Sequence, residues 1–273
     1  MLNYIVCYPA GAAGRFLSTI IYKTANQIDD FVLTTPENSG HLESQNGIIS
    51  GYDYVDNNNH PFVFKDLIPN NLNDTIPVFS THAFPKFKVI DSIGHFNTTR
   101  FITIVHENTD YNELVANVLM KAIVPQIKII LNSPSGVDQF KNKTYFYSAV
   151  YIVTRFKDTY GYELTLDNLI DINTIKYLFE LDMQRRKFNE EELSKFKSSF
   201  TIPDNFKDKM LVVKYKDIFT KTATSYIALE QLSNFMGVDI PNSVYESYDN
   251  YVINQPMMLN KYFPWLTKTV DTR

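Results

Sequence analysis

The sequence predicts an α/β fold built on a parallel sheet. Three observations carry that expectation. LNYIVCY, residues 2–8, is a largely apolar, β-rich run without alternation, as expected of a strand buried on both faces. After a turn of small residues the period changes, and Leu17, Ile21, Ala25 and Ile28 recur at helical spacing. The same strand-then-helix order returns twice, at 101–105 before a helix from about 110, and at 211–214 before a helix through 225–237.

Taken in order, residues 30–75 break the pattern. TTPENSG, SQNG and DNNNHP surround short apolar islands, IIS and FVF, and predict an irregular insert with one hairpin. IPVFSTHAFP then gives a strand at Val78–Thr81 that ends at His82. Phe101 to Val105 forms the next buried strand. Asp110 is the expected N-cap of the helix that follows, with Leu114, Val115, Val118, Leu119 and Ala122 as its apolar face. Residues 125–170 show helical patches and a loop at NSPSG. Residues 171–188 read as an amphipathic helix, and EELSKF as its charged continuation. Arg185 and Arg186 on that helix suit either a solvated face or an anionic ligand. In the helix over 225–237, Tyr226, Leu229, Leu232 and Phe235 or Met236 point inward. Gly237 reads as its C′ cap, with Pro241 just beyond. Residues 242–273 read as aromatic and irregular, and the whole chain, 1–273, as one domain.

Bulk composition narrows the function classes. In 273 residues, 44% apolar and 14% aromatic content is ample for a sizeable core. A formal net charge of −4 does not suggest a sequence-independent nucleic-acid binder, which would need a basic face, and leaves room for a local basic pocket. Cys7 is the single cysteine, so no intramolecular disulfide forms, and its apolar strand suits a core residue better than a nucleophile. No apolar run approaches the roughly 18 residues of a membrane span, and no charged segment precedes the N-terminal strand as in a signal peptide. A cytoplasmic protein without a membrane span is the expectation. The sequons at Asn73, Asn97 and Asn142 would matter only in a secreted protein.

The turn itself, PAGAAGR, carries the first chemical signal. A helix N-terminus exposes backbone N–H groups and a partial positive charge, and small residues let an anion come close. Arg15 adds a planar charged fork suited to phosphate or sulfate. A nucleoside-triphosphatase loop would read GxxxxGK and then Ser or Thr. Here Pro9 replaces the first glycine, Arg15 the lysine, and Phe16 the hydroxyl that holds magnesium. The stretch therefore reads as an anion loop without a magnesium ligand, or as a turn made of small residues for packing. His82 is the second signal. Ligands of parallel sheets bind beyond the carboxyl ends of strands, which puts His82 on the same edge as the loop. It suits a general base near neutral pH, or a cap on a backbone carbonyl.

Together these pieces resemble the sulfotransferase family, which transfers a sulfuryl group from 3′-phosphoadenosine 5′-phosphosulfate (PAPS). YPAGAAGRFL resembles that family's opening Y-P-K-S-G-T-T-W-L, and STHAFP its K-T-H-x-P segment with the catalytic histidine. VVKYKDIFTKTATSYIALEQLSNFMGV resembles its late strand, Y-E-D-L and helix ending in F-L-G, with Lys216 where an acid is usual. The resemblance implies a P-loop-like, three-layer α/β/α fold with a central, mostly parallel sheet. It implies His82 and Arg15 as catalytic residues, and PAPS as donor with no metal. Pro9, Ala10, Gly11, Ala12, Ala13, Gly14, Arg15, Phe16 and Ser18 would form the cofactor loop. His106 would stand where the family's 3′-phosphate arginine falls, with Asn117 near the place of its partner serine. A small-molecule or glycan hydroxyl or amine would be the acceptor. The chain departs from the pattern in several places. Ala12 replaces the loop lysine, Arg15 and Phe16 the threonines, and Ser80 the lysine near the histidine. Ser18 and Thr19 are displaced along the helix, and Trp265 in KYFPWLTK is the only trace of the C-terminal G-x-x-G-x-W. Two rivals remain: a non-catalytic protein of the same fold that binds an anion, a glycan or a protein, and a P-loop small-molecule kinase. Residues 40–65, with His41, Tyr52, Tyr54, His60 and Phe62, suit an acceptor site or a satellite core.

Overall fold

The computed structural model describes residues 2–29, 48–50, 75–82, 98–186, 194, 196–197 and 201–267. The chain divides into two compact units. The first is Met1–Asp110 with Leu193–Asn254, and the second is Tyr111–Glu192 with Gln255–Arg273. The sequence reading treats both as one domain.

The first unit is α/β. Its strands are β1 (Asn3–Cys7), β2 (Ile48–Ser50), β3 (Val78–Thr81), β4 (Thr99–Val105) and β5 (Met210–Lys214). They form a five-stranded sheet in the order β2-β3-β1-β4-β5, and all four pairings are parallel. Every residue of β1 is buried, as its continuous apolar run predicts for a central strand. Cys7 lies opposite Thr81 on one side and Thr103 on the other, so β1, β3 and β4 end almost level. Within the insert, the IIS island pairs parallel with β3. The hairpin expected there falls on residues 30–47 and 51–74, which lie outside the described residues.

Helix α1 (Gly14–Ala25) packs over β1, β2 and β3, and its Phe16, Leu17, Ile20 and Ile21 are buried. It stops at Ala25, short of the expected Ile28. The Asn26 side chain both donates to the Ile76 carbonyl and accepts from the Ile76 N–H, at 3.1 and 2.7 Å. That amide ties the end of α1 to the start of β3. The architecture is compatible with three α/β/α layers.

Among the described residues, the second unit includes the helices α2 (Tyr111–Val118), α3 (Val124–Asn132), α4 (Tyr147–Tyr160) and α5 (Ile172–Arg186). Asp110 was expected to cap α2. It lies instead in a preceding 3₁₀ turn, Asn108–Asp110, and its carboxylate reaches back to the Glu107 N–H at 2.9 Å. That is the acid's role in a capping box, three residues after the cap. A π-turn, Leu119–Ile123, joins α2 to α3. Its extra residue rotates the helix face, which leaves Ala122 exposed and buries Ile123, Ile127 and Ile130. The run Asn108–Asn132 is long and apolar enough to cross a membrane by length and composition, which sequence reading did not find. Half of that window is buried within the protein, as in a core helix. The core of this unit gathers Leu119, Ile127, Ile152, Phe156, Leu178 and Phe179, among others.

Residues 242–273 depart most from expectation. Helix α6 (Ile227–Met236) ends at Gly237 in the left-handed conformation, as the sequence predicts. It is followed by a 21-residue helix, α7 (Asn242–Tyr262), and a short turn, α8 (Pro264–Thr267). Val244, Tyr248 and Tyr251 recur at helical spacing and are buried. Phe16 of α1 stacks on Tyr251, with centroids 3.8 Å apart and planes 9° apart. Tyrosine is a poor helix former, and Pro256 falls inside the run, so packing rather than propensity makes this helix.

Candidate functional site

The sheet order puts β1 at a switch point: the connection leaving β1 runs toward β2 and β3, whereas β4 and β5 lie on its other side. The crevice beyond the carboxyl end of such a strand is where open α/β sheets take ligands. PAGAAGR stands there. Gly11 has φ 86° and Ala13, the N-cap of α1, has φ 58°, so two residues of the loop are left-handed. Two left-handed residues this close together give the backbone a tight turn. The Ala12 N–H closes the turn on the Pro9 carbonyl at 3.1 Å. Ala13 has no side chain to cap α1, and an alanine held in the left-handed region costs about 1–2 kcal/mol. Arg15 is half-buried at the head of the helix.

His82 directly follows β3, one position past the Cys7–Thr81 pair, and therefore meets Tyr8 across the sheet. Its Nδ1 lies 3.2 Å from the Tyr8 carbonyl oxygen. A carbonyl only accepts, so Nδ1 carries the proton and Nε2 carries the lone pair. The two rings meet edge to face, 4.7 Å between centroids and 73° between planes. Although the residue as a whole is exposed, desolvation of the His82 imidazole disfavours its charged form. That desolvation holds its pKa below the ordinary 6.5. The hydrogen bond to Tyr8 opposes the shift, and the Arg15 charge adds to it. Sequence reading offered His82 as a base or as a cap on a carbonyl. The carbonyl contact is present, and it selects the tautomer a base needs.

Tyr8 is the residue that sequence reasoning missed. Its hydroxyl and that of Ser80 lie 2.7 Å apart, both buried. Its ring covers Gly14 so closely that an added Cβ would fall 1.9 Å from the nearest ring carbon. The signal was its place immediately before the loop, and the glycine six residues on.

The remaining expected residues fall as follows. Pro9 and Ala12 are buried, while Ala10, Gly11 and Ala13 are half-buried along the loop. Ala12, where the family has its lysine, is fully buried. Phe16 lies in the aromatic stack with Tyr251. Ser18 is buried and donates to the Gly14 carbonyl at 2.8 Å, and Thr19 likewise to the Arg15 carbonyl at 3.1 Å. His106 is buried at the end of β4, its N–H donating to the Phe196 carbonyl at 2.9 Å and its Nδ1 lying 3.0 Å from the Glu107 carbonyl. Asn117 is buried in α2 of the second unit. Lys216 pairs with Asp110 at 3.5 Å. Trp265 packs on Phe179 and Phe263 at the second unit's core. Arg185 and Arg186 form neither a solvated face nor an open anion site, since both grip the buried Asp182 at 2.9 Å. Residues 51–74, with Tyr52, Tyr54, His60 and Phe62, lie outside the described residues, as does His41. Cys7 is buried, and that burial pushes its thiol pKa up, as suits a core residue. Among the described residues, no group of three or more His, Cys, Asp or Glu side chains is arranged to hold a metal.

No family model, curated protein or solved structure matches this chain.

Proposed function

We propose that this chain is a sulfotransferase-like enzyme, with a P-loop-like anion loop at PAGAAGR. It would transfer a sulfuryl group from PAPS to an acceptor hydroxyl or amine. The observation that carries the reading is the shared edge. The two left-handed residues, the head of α1 and Arg15 stand beside a histidine whose Nδ1 is occupied and whose Nε2 holds the lone pair. Strand order supports it as well, because the loop follows the strand at the switch point.

The chemistry then balances without a metal. Nε2 of His82 takes the proton from the acceptor O–H or N–H as that atom attacks sulfur. The bond from sulfur to the bridging phosphate oxygen breaks, and adenosine 3′,5′-bisphosphate leaves with the electron pair. Arg15 and the N–H groups of the loop hold the charge that gathers on the sulfuryl and leaving phosphate oxygens. A positioned base contributes about a hundredfold to ten-thousandfold. His82→Ala is therefore expected to lose about that much turnover while binding adenosine 3′,5′-bisphosphate as the wild type does. Arg15→Ala is expected to lose both. Full turnover in His82→Ala would remove His82 as the base.

A second reading has its own observation. The two lysines the family uses are replaced by a buried Ala12 and by Ser80, whose hydroxyl is taken up by Tyr8. A non-catalytic protein that binds the same class of anion would look like this. Bisphosphate binding with no sulfuryl transfer to any acceptor would favour it. The kinase reading is weaker, since Phe16, at the magnesium position, is buried in an aromatic stack.

A further inference from the structure

We propose that Tyr8 is a positioning residue, a strut that sets the place of His82 against the first turn of α1. The proposal rests on reading His82 as the base, but its test does not.

Several contacts converge on this one residue. Its N–H donates to the Thr81 carbonyl at 3.1 Å, which carries the β1–β3 ladder one step past the strands. Its carbonyl accepts from Nδ1 of His82 at 3.2 Å. Its ring meets the imidazole edge to face. Its hydroxyl is paired with Ser80 at 2.7 Å, out of water. The same ring lies on Gly14, where a Cβ would come within 1.9–2.2 Å of three ring carbons. Arg15 and His82 belong to different segments, the head of α1 and the end of β3. One ring touches the segments that carry both. The spacing between the anion loop and the imidazole is thus set by the tilt of the Tyr8 ring, and the hydroxyl pair with Ser80 fixes that tilt. Ser80, where a family lysine would stand, serves here to anchor the strut.

The test reads His82 directly. The protein is labelled with ¹⁵N-histidine, and the five histidines are followed by NMR through a pH titration. A His82→Ala spectrum identifies the His82 signals. Tyr8→Phe removes only the hydroxyl, Ser80→Ala only its partner, and Tyr8→Leu the ring. In each variant the His82 midpoint is expected to move away from the wild-type value, most in Tyr8→Leu. The fixed Nδ1–H signature is expected to give way to a mixture of tautomers. Ser80→Thr, which keeps a hydroxyl, is expected to restore the wild-type titration. Should Tyr8→Leu fail to fold, the two hydroxyl variants carry the result. A midpoint and tautomer unchanged in both hydroxyl variants would overturn the proposal. An inactive wild-type protein whose His82 still responds in this way would overturn the transfer reading and uphold the strut.

Discussion

At Gly14 a single hydrogen atom decides whether the loop fits against β1. The Tyr8 ring occupies the space a Cβ would need, so Gly14→Ala must move an aromatic ring that is itself hydrogen-bonded. Overpacking of this kind costs about 1–3 kcal/mol. Urea denaturation should register that loss. At His82 the sign of the pH effect follows from its lowered pKa. The folded protein prefers the neutral imidazole, so between the folded value and about 6.5 the unfolded chain binds more protons. Stability contributed by His82 is present above about pH 6.5 and is lost as pH falls through that window. Turnover is expected to rise across the same window as Nε2 deprotonates, with a midpoint below 6.5. A pH–rate profile with a midpoint above 6.5 would contradict the assigned environment. At Tyr248 the buried hydroxyl finds no partner among the described residues. Tyr248→Phe removes that desolvated group and keeps the ring against Phe16 and Tyr226, so it should raise stability by about 1 kcal/mol.

Among the elements, α5 illustrates how a charge pattern can mislead. Arg185 and Arg186 stand three and four residues after Asp182, so one carboxylate receives both guanidinium groups from its own helix. Asp182 is 0% exposed, and the two arginines 13% and 12%. Asp182→Ala would leave two largely buried cations facing an empty place, at about 3–5 kcal/mol. Thermal unfolding of that variant should show it. β1 was readable because burial on both faces writes itself as a largely apolar run, and β3, β4 and β5 also match their expected bounds to within two residues. Gly237 was readable because only a left-handed cap asks for glycine there. α7 was not, because its face of Val244, Tyr248 and Tyr251 is made of residues that read as irregular until Phe16 is seen to stack on them. The π-turn in Leu119–Ile123 was invisible for a similar reason, as one extra residue shifts the face without changing composition. In the site, the loop and His82 announced themselves by residue type. The Tyr8 contacts did not, because they depend on the register of β1 against β3.

At the scale of the whole molecule, the proposed anion site falls within the first unit. The loop, Arg15, Tyr8, Ser80 and His82 all belong to Met1–Asp110. The most direct test is the melting temperature of the full chain with adenosine 3′,5′-bisphosphate, compared with ATP plus magnesium and with no ligand. A ligand at a hundred times its dissociation constant adds about 2.7 kcal/mol to the folded state. For a chain of this size that is a rise of about 5 °C or more. That rise is expected with the bisphosphate, is expected to be lost in Arg15→Ala, and is not expected with ATP and magnesium. A rise with ATP and magnesium alone would make the protein a kinase. No rise with either would make PAGAAGR a packing turn, and the likeness to sulfotransferases one of architecture alone.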